Sequence, residues 1–137
     1  MRGGYTGKSL RVDLTSGRIQ EVKFNDGILR QFLGGTGIGI KVLYDEVPSH
    51  VEPFDPENRL IISTGPLTGT LAPGSGAYSA VTKSPLTGFA CAAQSNGHFG
   101  AVLKFSGFDT VILQGSAREW VYLCINDEKA DLIPAKD

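Results

Sequence analysis

The chain has 137 residues, with 13 Lys+Arg against 14 Asp+Glu and a formal net charge of −1. That balance excludes a general nucleic-acid surface or a polybasic membrane surface, both of which need clustered positive charge. With 41% hydrophobic and 20% charged residues it reads as a globular chain able to bury a core, expected as one domain over residues 1–137 or as a piece of a larger protein. No apolar run approaches the roughly 20 residues of a membrane helix. The N-terminus lacks the apolar stretch of a signal peptide, so the cytoplasm is the expected compartment.

The alternation Leu10, Val12, Leu14 predicts a half-buried strand over residues 9–14. Thr15-Ser16-Gly17 turns the chain into a second strand over residues 18–24. There Val22 and Phe24 share a face that Ile19 does not, and a bulge near Gln20 would reconcile them. Asn25-Asp26 offers an N-cap for a helix carrying Ile28, Leu29, Phe32 and Leu33, stopped by Gly34-Gly35. A second helix is expected from about Thr36 to Glu46, with Ile40, Leu43, Tyr44 and Val47 on its apolar face and Pro48 at its end. After a proline-bearing loop, strands are expected over residues 59–63, 77–83 and 89–93. A helix follows over residues 99–105 on Phe99, Val102 and Leu103, then strands at 110–113, 120–125 and 131–133. The fold class is α+β, mainly antiparallel sheet with about three short helices.

Eighteen glycines are about twice the usual share, which points to many tight turns or to backbone that approaches something closely. Pro66-Leu67-Thr68-Gly69 recurs as Pro85-Leu86-Thr87-Gly88, each copy after a strand. Such paired turns are either ordinary or two loops emerging on one side of a sheet. The run Gly34-Gly35-Thr36-Gly37-Ile38-Gly39 lies between two helices rather than between a strand and a helix, so it is no dinucleotide fingerprint and reads as a helix–helix corner. Gln94-Ser95-Asn96-Gly97-His98 sets amide side chains ahead of a helix N-terminus, suited to a flat heterocycle or an anion, or simply to capping. Lys83, at a strand end, could pair a phosphate or lie on the surface. His98 has no metal-ligand partners at the right spacing, so no metal ligands and no catalytic residues are assigned. Cys91 and Cys124 form no CxxC pair, sit in apolar strands, and are expected buried and inert.

Several segments in this order resemble the N-terminal domain of the aldehyde:ferredoxin oxidoreductases. They are Tyr5-Thr6-Gly7-Lys8, Leu10-Arg11-Val12-Asp13-Leu14-Thr15, Phe32-Leu33-Gly34-Gly35, Pro56-Glu57-Asn58-Arg59-Leu60-Ile61, Thr64-Gly65-Pro66-Leu67-Thr68-Gly69-Thr70, Val81 to Gly88, and Leu103-Lys104-Phe105-Ser106-Gly107-Phe108-Asp109. The resemblance covers almost the whole chain. It implies a largely β base on which a tungsten or molybdenum pyranopterin lies, with a [4Fe–4S] cluster and the catalytic acid/base groups in later domains absent here. It also implies aldehyde oxidation to a carboxylic acid with ferredoxin as acceptor. The remainder of the polypeptide and a second copy of the chain are the implied partners, with no nucleic acid and no membrane. Gln94, Ser95, Asn96 and Gly97 stand where the family has an Asn-Ser-Gly-Gly-like pterin loop, Gln94 mimicking its Asn but Asn96 adding bulk where close backbone approach is expected, and Ala77 stands where the family often has an arginine that grips a pterin phosphate. Lys83 completes the expected cofactor-binding set. The alternative is a non-catalytic scaffold or binding module that has lost the pterin grip.

Overall fold

The structure, a computed structural model, describes residues 3–135. In chain order it runs β1 (Ser9–Asp13), β2 (Arg18–Val22), α1 (Asp26–Phe32), α2 (Gly35–Glu46), β3 (Leu60–Thr64), β4 (Tyr78–Lys83) and β5 (Ala90–Ser95). It continues through α3 (His98–Phe105), β6 (Thr110–Gln114), β7 (Val121–Asn126) and β8 (Lys129–Pro134). Six strands form one sheet in the order β2-β1-β6-β3-β4-β5, and β7 pairs with β8 alone. Every adjacent pair in the large sheet is antiparallel except β1 and β6. The α+β expectation holds, element for element.

Both faces of the large sheet are covered, and this explains the broken alternation. Helices α1 and α2 bury Leu29, Ile38, Val42 and Leu43 against Ile61, Val81 and Ile112. On the other face Leu10, Val12 and Val111 pack with Leu103 of α3, Phe108, and Leu123 and Ile125 of the β7–β8 hairpin. Val12 lies opposite Ile19, whereas Val22 lies opposite Ser9, one position out of phase. Ile19 therefore joins the hairpin-side core while Val22 and Phe24 join the helix-side core. The register is continuous, and the bulge expected near Gln20 is not there.

Helix α2 also turns differently from the expected face. Its buried residues are Ile38, Gly39, Val42 and Leu43, while Tyr44 is exposed. The reason is Gly39: a Cβ there would overlap the Val81 side chain, so only glycine lets α2 lie this close to β4. On α3, Leu103 is buried but Phe99 and Val102 are half exposed. Both cysteines are exposed, contrary to the expectation of burial. Cys124 falls on the outward phase of β7, and Cys91 lies in β5, an edge strand with no residue buried.

Candidate functional site

Strand polarity decides which loops can meet. Because β3 and β4 are antiparallel, the turns that follow them leave from opposite ends of the sheet. The first Pro-Leu-Thr-Gly turn (66–69) therefore exits beside Tyr78, while the second (85–88) closes the β4–β5 hairpin at the far end, where Lys83 pairs with Ala90. The two copies do not flank one site. Lys83 is held at that far end, with its Nζ donating to the carbonyls of Ser49 (2.8 Å) and Val51 (2.6 Å).

At the near end three segments converge around a cavity of about 400 Å³. One wall is the α1–α2 corner with the first turn of α2, one is the 65–68 turn, and the third runs from Gly74 through Ala77 to Ser79, with Gln94 beside it. Gln94 stands directly opposite Ser79 in the β4–β5 ladder. The Thr36 hydroxyl donates to Ser79 Oγ at 3.0 Å, tying the helix to the sheet. Thr68 Oγ1 donates to the Ala77 carbonyl (2.9 Å) and accepts the Gly65 amide (3.1 Å), fixing the second wall to the third. Helix α2 is preceded by Gly34, which gives it no side-chain cap; the Gly37 amide bonds back to the Gly34 carbonyl (3.0 Å), and the Gly35 and Thr36 amides lie at the anion-favouring end of the helix dipole.

Asn96, Gly97 and His98 line a second, adjoining cavity, separated from the first by Gly74 and Ser75, which border both. A Cβ at Gly76 would overlap the Gly97 carbonyl, so the 74–76 loop and the 96–98 loop meet backbone to backbone. Ser95 pairs with Tyr78, whose ring lies 4.8 Å from that of Phe99. Ala77 and Gln94 thus line the first cavity, Asn96 and Gly97 the second, while Ser95 lines neither and Lys83 lies apart at the far end. The structure also adds Thr36, Ser79 and the amides of the glycine run, which sequence reading assigned to a bare corner. The signal was a glycine run opening a helix that has no capping side chain.

Among the described residues the first cavity is lined by no charged side chain, and no three His, Cys, Asp or Glu side chains gather as a metal-binding group. A cavity of hydroxyls, one carboxamide and backbone fits the edge of a neutral heterocycle such as a pterin. A metal at this site would have to arrive on its own organic ligand. No helix is long and apolar enough to cross a membrane among the described residues.

The family model "Aldehyde ferredoxin oxidoreductase, N-terminal domain" matches residues 9–137. The chain belongs to the aldehyde ferredoxin oxidoreductase family. It is 52% identical over 129 residues to the tungsten-containing aldehyde ferredoxin oxidoreductase of Pyrococcus abyssi (strain GE5 / Orsay), covering 94% of this chain and 21% of that protein. It is 38% identical over 131 residues to the WOR-like subunit of an aliphatic sulfonate oxidoreductase of Pyrococcus furiosus, covering 93% of this chain and 21% of that one. A solved structure of the active-site complex BamBC of benzoyl coenzyme A reductase, with 1,5-dienoyl-CoA, superposes at a TM-score of 0.96 and 41% identity, covering 98% of this chain and 21% of that chain. The chain therefore spans about a fifth of the length of these members of the family. Three relatives named for different reactions share this fold.

Proposed function

We propose that this chain is the cofactor-bearing N-terminal part of a tungsten- or molybdenum-pterin oxidoreductase that oxidises aldehydes to carboxylic acids with ferredoxin as electron acceptor. The observation that carries the reading is the cavity at the near end of β3–β4–β5, where Gln94, Ser79, Thr36 and the uncapped start of α2 converge without a charged side chain. Gln94 and the two hydroxyls would hold the pterin edge, and the first amides of α2 would face its more negative end. When bound, the cofactor supplies the two-electron chemistry that turns an aldehyde and water into a carboxylate. This chain's residues bind and orient it, and shield one side of it from water. Relatives named for aldehydes, sulfonates and benzoyl-CoA share the fold, which favours a common cofactor base over a substrate-selecting element.

The rest of the polypeptide is the proposed partner, with the [4Fe–4S] cluster and the acid/base groups in it. Phe99, Val102 and Phe105 of α3 and the whole of β5 are exposed beside the site. The accessible surface of 8489 Å² exceeds the roughly 6,900 Å² expected of a folded monomer of this size. The exposed Phe99, Val102 and Phe105, beside an edge strand with no buried residue, favour a surface that another body covers.

The test is the pterin content, read by fluorescence after release, of the protein produced from the full gene. Gln94→Ala would lose two neutral hydrogen bonds, roughly 1–3 kcal/mol or about five- to 150-fold in affinity, so its pterin is depleted on dialysis. Undiminished pterin in the variant would contradict the role of Gln94, and a parent protein that holds no pterin would favour the second reading, a scaffold without a pterin grip, to which Ala77 and the absence of a lining cation also point.

A further inference from the structure

Two of the sequence segments singled out above, residues 5–8 and 103–109, clasp each other. The Lys104–Asp109 ion pair (2.6 Å) is nearly buried, at 8% and 9% side-chain exposure. Asp109 also accepts the amides of Thr6 (3.0 Å) and Gly7 (2.8 Å), and its own amide donates to the Lys8 carbonyl (2.8 Å). Lys104 Nζ donates to the Gly4 carbonyl and sits 5.6 Å from the centre of the Tyr5 ring. A five-residue strap is thereby fixed to the junction of α3 and β6.

That strap touches two walls of the cavity. The Tyr5 hydroxyl donates to the Leu33 carbonyl at 2.6 Å. Leu33 ends α1 with φ +61° and ψ −60°, the centre of a tight γ-turn in which the Gly34 amide donates to the Phe32 carbonyl (2.7 Å); such a conformation costs a branched aliphatic residue about 1–3 kcal/mol and persists only where neighbours enforce it. It is also 59% exposed and lines the cavity, so core packing does not hold it there. Gly4 meets the second wall: at φ +76°, any Cβ on it would overlap the Pro66 carbonyl. Asp109 reaches the same wall through its carbonyl, which accepts both the amide (2.9 Å) and the hydroxyl (2.8 Å) of Thr64. Burial, then the Asp109 charge, pushes the phenol pKa of Tyr5 upward, so the donated proton stays in place at neutral pH.

We propose that Tyr5 is a positioning residue for the cofactor cavity: its hydroxyl, steadied by the Lys104–Asp109 clasp, holds Leu33 in the strained γ-turn that aims the start of α2 into the site. The site role rests on the pterin reading above; the hydrogen bond and the turn do not. Tyr5→Phe removes only the hydroxyl and keeps the ring under Lys104.

The experiment pairs amide hydrogen exchange by NMR on the chain with pterin content of the protein from the full gene. In Tyr5→Phe the amides of Leu33, Gly34 and Gly37, bonded to Leu29, Phe32 and Gly34 carbonyls, should exchange about three- to tenfold faster. The Leu33 carbonyl resonance should move, while the β7–β8 amides of Leu123 and Ile125 stay unchanged. Pterin content should fall with no comparable fall in Tm. Unchanged exchange at residues 33–37 overturns the proposal. Faster exchange with pterin retained, while Gln94→Ala loses it, overturns the positioning role and leaves the cofactor reading standing. Pterin retained in both variants overturns that reading and the positioning role with it.

Discussion

Ser79 and Gln94 stand opposite each other across the β4–β5 ladder, and Ser79 is the residue to which the first turn of α2 is bonded. Ala77 immediately precedes β4 and lines the same cavity as Ser79. An arginine there would introduce the one cation the cavity lining lacks. Ala77→Arg should bind inorganic pyrophosphate at least about tenfold more tightly than the parent chain, since a hydrogen bond to a charged group contributes roughly 1.5–3 kcal/mol. Titration calorimetry at two salt concentrations checks it. The gain should shrink as salt rises, and equal affinities would place Ala77 away from the anion.

Lys83 separates stability from cofactor binding. It anchors the loop after α2 through two carbonyls, at the end of β4 remote from Gln94. Lys83→Met should cost about 1–3 kcal/mol in urea unfolding and leave pterin content of the full-gene protein at the parental level. A loss of pterin at unchanged stability would return Lys83 to the site.

Gly35 has φ +51°, and a Cβ on it would sit 3.2 Å from Ser79 Oγ. Gly35→Val should therefore destabilise the chain by about 1–3 kcal/mol, through the left-handed conformation and through crowding at the Thr36–Ser79 bond. Thermal unfolding measures it, and an unchanged Tm would contradict the corner geometry.

Much of the fold was legible because hydrophobic period and turn chemistry are local. Eight strands and three helices follow from alternation, from Asn25 as a cap whose side chain accepts the Ile28 amide, and from the glycines. What could not be read locally was which face each strand shows. Val22 and Ile19 look like a register fault until both faces of the sheet are seen to be covered. The paired Pro-Leu-Thr-Gly turns suggested one site because strand polarity is a property of pairing, not of sequence. Gln94 to Gly97 were singled out from their residue types, and of them only Gln94 lines the first cavity. Thr36 and Ser79 were missed because each is ordinary until α2 lies across β4, a proximity set by Gly39 against Val81. Tyr5 was part of the resemblance but carried no role, since its partner Leu33 is 28 residues away.

Glu46 couples stability to pH. Burial pushes its pKa up, but hydrogen bonds and charge from Arg11, then from Arg59, outweigh burial and leave it below its ordinary 4.5. Its carboxylate lies 2.5 Å from Arg11 Nη2 and 3.1 Å from Arg59 Nε. A carboxyl with a lowered pKa stabilises the fold fully above its unfolded value and loses that contribution as pH falls through the lower folded value. Glu46→Ala should cost about 2 kcal/mol at pH 7, leaving two arginines partly buried without their carboxylate. The difference between the two proteins should close as pH falls from the ordinary glutamate range downward. A difference that stays constant into strong acid would assign the effect to packing.

The central claim is that the cofactor lies against the near end of β3–β4–β5, on Gln94 and the start of α2. The direct measurement is an experimental structure of the protein from the full gene, purified with its metal and pterin. The account predicts pterin nitrogen or oxygen atoms within about 3.5 Å of the Gln94 carboxamide, with the ring over the wall formed by residues 74–79. A pterin held at the Lys83 end of the hairpin, or bound with no contact to residues 33–37, 74–79 or 94–97, would contradict it.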